Sequence, residues 1–213
     1  VHEFRRNSIN TQNHFFKFLE IVQKLGCNQV LIISGSQKRS SLDSLSSLSL
    51  LKDKNYIFNS NFSLGVAFNP YLPDSLFQEE ILRLERKLQS GFVNSIWIQF
   101  GTDIDLFETR IKKLKNIIRL TCEYNSKILE VKLFGSILVP SKQFLARFRF
   151  RPWKGVYCSQ EFLESLEFAN KLVFNLFETY KHQGICPLIE TNISNEFQLH
   201  SVHKLLESQG SII

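Results

Sequence analysis

The sequence predicts an α/β protein built on a parallel β-sheet with crossover helices. One observation is that the apolar runs are short and continuous, as at residues 64–68 and 95–100, which is typical of strands buried on both faces. A second is that the stretches between these runs carry apolar residues every three or four positions, as amphipathic helices do. Alternating strands and helices of this kind form either a doubly wound sheet or a (β/α)₈ barrel.

The clearest strand, helix and strand unit lies within residues 63–105. After the apolar run at 64–68, a helix is expected over about 75–90, with leucines on one side and charged residues on the other. Gly91 provides a C-cap for this helix. The next apolar run, at 95–100, completes the unit.

Five strands are predicted in all, each followed by a helix or by a loop and a helix. They cover residues 29–34, 64–68, 95–100, 128–139 and 187–191. The helices are expected over residues 11–25, 75–90, 104–122, 140–153, 159–182 and 194–208. The serine-rich run at 42–51 fits either a weak helix or a loop, and we expect a mobile loop there.

Composition and charge narrow the function classes. A chain of 213 residues that is 43% hydrophobic and 22% charged can bury one sizeable core, so we expect a single domain over residues 1–213. No apolar run approaches the length of about 18 residues that a membrane span needs, so we expect a soluble protein of the cytoplasm or the mitochondrial matrix. The net charge is +6 but no nucleic-acid motif accompanies it, which argues against nucleic acid as the main partner.

Two smaller features of the sequence also bear on function. The four cysteines are far apart in sequence and have no histidine at metal-ligand spacing, so reduced thiols are expected rather than a disulfide or a metal site. The basic and aromatic run at 147–154 could stack on and pair with a nucleotide or phosphate. We favour a segment that packs its phenylalanines inward while its arginines extend into solvent.

Several segments resemble the methylenetetrahydrofolate reductase family in order and spacing. They are His2 with Arg5-Arg6-Asn7, Ser34-Gly35-Ser36, Val66-Ala67-Phe68-Asn69-Pro70, Leu84-Glu85-Arg86-Lys87-Leu88-Gln89-Ser90-Gly91, and Gln99-Phe100-Gly101-Thr102-Asp103. The family consists of flavin-dependent (β/α)₈ TIM barrels. The resemblance therefore implies a TIM barrel of the methylenetetrahydrofolate reductase type, present here from near the end of strand three through strand eight. It also implies that missing N-terminal strands or a protein partner completes the barrel.

The resemblance further implies a set of binding residues. It places six residues near FAD: His2, Ala67, Asn69, Glu80, Arg86 and Lys87. Among them, Arg86 and Lys87 match a basic pair that reaches the FAD phosphate, and Glu80 matches an acidic position near the ribose. Gln99 matches the glutamine that contacts folate. The alternatives are a solvated helix face for Arg86 and Lys87, and a polar residue of the barrel mouth for Gln99.

The sequence also departs from the family pattern. Where the family has an acidic residue close to the flavin, this chain has Ser36, and Gln37-Lys38 replaces a pair of prolines. The family's general acid lies on the first barrel strand, and Glu3 matches its motif only superficially. Because reduction of the folate needs a proton donor as well as a hydride from the flavin, these departures predict weak or lost catalysis, and no catalytic residue is assigned.

Two functions remain open at this point. In the first, the chain derives from an oxidoreductase that binds FAD and a folate-like small molecule, with catalysis degenerate or lost. In the second, it is a non-catalytic structural or interaction subunit of a larger complex, for example a mitochondrial one. Uptake of flavin separates the two.

Overall fold

The computed structural model describes residues 8–34, 42–58, 62–124, 130–191, 193 and 195–207. These residues form five strands: β1 (Gln29–Ile32), β2 (Ser63–Phe68), β3 (Val93–Ile98), β4 (Lys132–Ile137) and β5 (Cys186–Ile189). The described residues also form eight helices: α1 (Ser8–Lys24), α2 (Ser44–Asp53), α3 (Asp74–Gln89), α4 (Ile104–Tyr124), α5 (Lys142–Phe150), α6 (Gln160–Glu164), α7 (Leu166–His182) and α8 (Glu196–Glu207).

The strands form one parallel sheet in the order β1-β2-β3-β4-β5. Gln29 on β1 is in register with Ser63 on β2, and Phe134 on β4 is in register with Cys186 on β5. The predicted α/β class with a parallel sheet is therefore confirmed, and all five strands lie where apolar runs predicted them. β1, β4 and β5 are shorter than the predicted runs, whereas β2 is one residue longer and β3 begins and ends two residues earlier than predicted.

The chain forms two compact units, which are described separately. Unit 1 comprises Val1–Phe68, Pro73–Trp97 and Ile111–Lys132, and unit 2 comprises Asn69–Leu72, Ile98–Arg110 and Leu133–Ile213. The single domain expected over residues 1–213 stays a prediction.

The core of unit 1 forms where α1, α2, α3 and α4 cover the apolar strands. Its buried side chains include Leu19, Leu48, Leu51, Leu64, Val66, Phe68, Phe77, Leu84, Leu88, Ile96, Ile111 and Leu114. The amino end of β2 is fixed by Asn94, whose Oδ1 accepts hydrogen bonds from the Ser63 hydroxyl at 2.8 Å and the Leu64 amide at 2.6 Å.

Aromatic rings that cover glycines organise the core of unit 2. Tyr180 is fully buried on α7, and its ring covers Gly135 on β4 so closely that a Cβ at position 135 would lie 2.2 Å from a ring carbon. The Tyr180 hydroxyl donates to the Ser136 carbonyl at 3.3 Å. In the same way, the Tyr71 ring covers Gly101, where a Cβ would lie 2.4 Å from the ring.

Three expectations from the sequence need correction. The serine-rich run is not a mobile loop but helix α2, because the Asp43 side chain caps its first turn by accepting from the Ser46 amide and because Leu48 and Leu51 are buried. The single helix expected over 159–182 is two helices, since Ser165 is extended and caps α7. The phenylalanines of the 147–154 run lie on α5, where Phe148 is buried while Phe150 is 92% exposed.

Two further features bear on earlier expectations. All four cysteines, Cys27, Cys122, Cys158 and Cys186, are free. Among the helices described, none is both long enough and apolar enough to cross a membrane.

We predict that Gly135→Ala destabilises the protein because the added methyl group overlaps the buried Tyr180 ring. The expected loss is about 1–3 kcal/mol of unfolding free energy, measured by urea denaturation. The Tyr180→Leu background provides the control, because a smaller, flexible side chain leaves room for the methyl group. The same cost for Gly135→Ala in both backgrounds would contradict the packing described here.

Candidate functional site

Unit 1 gathers charged and hydroxyl side chains where β1 and β2 end. Carboxyl ends of parallel strands are where α/β proteins bind ligands. Five of the side chains are here called the polar cluster: Ser34, Asp43, Glu80, Arg83 and Lys87. Ser34 follows β1 closely, Asp43 precedes α2, and the other three lie on α3.

Lys87 is the buried cation of the polar cluster. The residue is only 5% exposed, and its Nζ donates to the Ala67 carbonyl on β2 at 3.3 Å. Burial lowers the pKa of Lys87, and the neighbouring charge of Arg83 acts in the same direction, while Glu80 and Asp43 oppose the shift. The interpretation of Lys87 as part of a solvated helix face is therefore wrong.

Arg86 has a different environment. Its side chain is exposed, as the solvated-face interpretation expects, although it neighbours Lys87 in sequence. Successive residues of a helix point about 100° apart, so Arg86 and Lys87 cannot share one face. The residues that share the face of Lys87 are Arg83, four positions earlier, and Glu80, a further three positions earlier.

Arg83 was not predicted as a site residue, but the structure places it in the polar cluster. Its Nη2 lies 3.6 Å from Asp43 Oδ2 and donates to Ser34 Oγ at 3.5 Å. Ser34 Oγ also accepts the Ser44 amide at 3.1 Å, at the start of α2. The helical spacing of Arg83 to Glu80 and Lys87 is the signal that could have identified it.

Asp43 balances part of the positive charge. Burial raises its pKa, but hydrogen bonds from Ser46 and the nearby Arg83 charge outweigh that effect and lower the pKa overall. Two cations, two carboxylates and the amino end of a ten-residue helix thus lie together. This set can hold an anionic group such as a phosphate, with Asp43 as the internal competitor for Arg83.

In unit 2, the structure brings together Asn69 and Gln99, which follow β2 and β3. Asn69 Oδ1 accepts the Tyr71 amide at 2.9 Å, while its Nδ2 donates to the Gly155 carbonyl at 2.8 Å. Gln99 approaches the same glycine, because a Cβ at position 155 would lie 3.7 Å from Gln99 Nε2. The two amides therefore face one backbone segment.

Arg110 fixes the turn that carries Asn69. It is 4% exposed, and its Nη1 donates to the Pro70 carbonyl at 2.6 Å and to the Leu72 carbonyl. Beside it, the Tyr71 hydroxyl is buried and has no hydrogen-bond partner among the described residues. Burial, with Tyr180 and Asp103 nearby, raises the Tyr71 pKa, so the phenol stays neutral.

A cavity of about 390 Å³ lies in unit 2 where β4 and β5 end. Its lining includes Phe144, Arg147, Trp153 and Glu190, and the Phe144 and Trp153 rings meet edge to face at 5.4 Å. The structure thus places two members of the basic and aromatic run at one cavity. Aromatic walls beside a guanidinium suit a planar ligand with an anionic group.

The structure describes some of the site residues predicted from the sequence and not others. His2 and Ser36 lie outside the described residues. Of the other predicted site residues, the structure connects Lys87 with Ala67 directly, places Glu80 close enough to affect the Lys87 charge, and leaves Arg86 exposed. Within the described parts of the chain, no group of three or more His, Cys, Asp or Glu residues could hold a metal ion.

Comparison with known proteins adds no family assignment. No family model matches the chain, and no curated protein matches it significantly. The resemblance to methylenetetrahydrofolate reductases and the roles that it implies stay predictions.

We predict that the burial of Lys87 makes stability depend on pH. In the folded protein the pKa of Lys87 is below 10.5, its ordinary value in the unfolded chain. Between these two pKa values the unfolded chain binds more protons than the folded protein, so the contribution of Lys87 to stability rises with pH. Between neutral pH and about pH 10, the unfolding free energy of the original protein should therefore rise relative to that of Lys87→Met.

Urea denaturation of both proteins across this range measures the difference. Arg86→Met is the matched control and should show no such trend, since Arg86 is exposed. A difference between Lys87→Met and the original protein that stays constant with pH would show that the ammonium is solvated.

Proposed function

We propose that this chain is a TIM-barrel protein of the methylenetetrahydrofolate reductase type that binds FAD and a folate-like molecule, with catalysis degenerate or lost. The observation that carries the proposal is the burial of Lys87 against the Ala67 carbonyl, with Arg83 on the same helix face. Burying an ammonium group costs free energy that a helix facing only solvent does not recover. A phosphate that binds at this position would compensate that cost.

The strand order supports the barrel. Each crossover leads to the next strand in one direction, as in a singly wound barrel, whereas doubly wound sheets reverse their order at a switch point. The outer strands are also less buried than β2 and β3: β1 has one buried residue, Ile32, and β5 has none. Further strands, from an N-terminal segment or a protein partner, would cover these edges.

In this proposal each named residue has a role in binding. Lys87 and Arg83 hold the FAD phosphates, and Glu80 lies beside the ribose. Asn69 and Ala67 lie near the flavin ring, and the Gln99 amide pairs with the folate-like molecule, since an amide both donates and accepts hydrogen bonds. Bound FAD would supply hydride transfer. Because the family's carboxylate is replaced by Ser36, the chain supplies little of the proton transfer that the reduction needs.

A second candidate function is a non-catalytic structural or interaction subunit of a larger complex, for example in the mitochondrial matrix. The ion pair between Asp43 and Arg83 favours it, because a carboxylate already occupies the cation that a phosphate would use. The hydrogen bond from Asn69 to Gly155 also favours this second function, because a backbone carbonyl already accepts from the amide that a ligand would use. In either case the proposed compartment is the cytoplasm or the mitochondrial matrix, where thiols stay reduced.

The test is FAD binding by the natural full-length protein, followed by the quenching of flavin fluorescence. We expect binding by the original protein, and we expect Arg83→Met and Lys87→Met each to weaken it by more than about tenfold, because hydrogen bonds to charged groups are strong. Arg86→Met is the matched control and should leave the affinity unchanged. An equal loss in Arg86→Met would favour the basic pair assigned from the sequence, and no binding by the original protein would favour the structural subunit.

A further inference from the structure

Residues 153–157 cross the polar residues that follow β2 and β3. Tyr157 forms an isolated parallel bridge with Gly101, and its carbonyl accepts the Thr102 amide at 3.1 Å. The Ser159 amide donates to Thr102 Oγ1 at 2.7 Å. These contacts attach the end of the segment to the chain that leaves β3.

The middle of the segment lies on the two amide side chains. The Gly155 carbonyl accepts from Asn69 Nδ2, and the α-carbon of Gly155 approaches Gln99 closely enough that a Cβ would be in van der Waals contact with its amide. Gly155 has φ +86°, in the left-handed region that favours glycine. The backbone therefore turns at the point where it meets both amides.

Aromatic contacts hold both ends of the segment, and at its start the Trp153 ring meets the Phe144 ring with centroids 5.4 Å apart and the Phe148 ring with centroids 6.2 Å apart. The Tyr157 ring stacks on the Tyr71 ring, with centroids 6.1 Å apart and an interplanar angle of 7°. Trp153 is 50% exposed and Tyr157 is 40% exposed. Because residues 153–155 and 157 are exposed, the segment opens at a lower cost than the buried core.

We propose that residues 153–157 form a strap that covers Asn69 and Gln99 and leaves them as a unit when a ligand binds there. This inference rests on the proposed function only for the identity of the ligand, FAD with a folate-like molecule. A ligand that reaches both amides must displace the Gly155 backbone from them. The strap and the ligand therefore compete, and weakening the strap favours binding.

The first measurement follows opening without ligand, as tryptic cleavage of the Lys154–Gly155 bond identified by mass spectrometry. Lys154 is exposed, and Arg151 precedes a proline, which trypsin does not cleave. Tyr157→Ala removes the ring stack and should speed cleavage at this bond by about tenfold. Tyr157→Phe keeps the ring and is the matched control, with a rate close to that of the original protein. Thr102→Val removes the acceptor of the Ser159 amide and should act in the same direction as Tyr157→Ala.

The second measurement is FAD affinity of the same proteins. Tyr157→Ala should bind FAD more tightly, by about the factor by which its cleavage rate increases. The FAD affinity of Tyr157→Phe should equal that of the original protein. Equal cleavage rates in Tyr157→Ala and Tyr157→Phe would overturn the strap. Faster cleavage with weaker FAD binding would also overturn it, because the segment would then be part of the ligand site. If none of these proteins binds FAD, the proposed function fails, and the cleavage rates alone decide whether the segment opens as a unit.

Discussion

The burial of the Lys87 ammonium is the constraint on which the arrangement of unit 1 depends. An ammonium group removed from water is costly unless hydrogen bonds and opposite charges compensate it. The Ala67 carbonyl at the end of β2 provides one hydrogen bond, and Glu80 and Asp43 provide negative charge. The position of α3 against β2 thus determines which cations lie inward, and it selects Lys87 with Arg83 rather than Lys87 with Arg86.

In unit 2, polar side chains are held next to a tightly packed sheet. Glycines leave room for large rings, as Gly135 does for Tyr180 and Gly101 does for Tyr71. Arg110 then fixes the turn at Pro70 and Leu72, which positions Asn69. These contacts support the Asn69 amide, which donates to the Gly155 carbonyl. Such an arrangement suits either a ligand site under a strap or a purely structural contact.

Much of the fold could be predicted from the sequence because its signals are local. Each of the five strands overlaps a short run rich in apolar residues, and the long helix α4 shows its apolar period without interruption. Helix α2 was not predicted because serine is a weak helix former, and its stability comes from the Asp43 cap and from the burial of Leu48 and Leu51.

The candidate site was less predictable because its contacts join distant parts of the chain. Motif matching selected Arg86 because it neighbours Lys87 in sequence, whereas burial depends on the helix face, which selects Arg83. The contact between Tyr157 and Gly101 joins segments that share no periodic pattern, so nothing in the sequence indicated the strap.

We propose that Lys87 is a buried cation placed for a phosphate. The direct measurement is the pKa of its amine, followed by NMR of the isotopically labelled lysine side chain and assigned with Lys87→Arg, in the free protein and with FAD. We expect a Lys87 pKa below 10.5 in the free protein and a rise of this pKa when FAD binds, because a phosphate stabilises the ammonium form. An ordinary pKa that does not respond to FAD would contradict it.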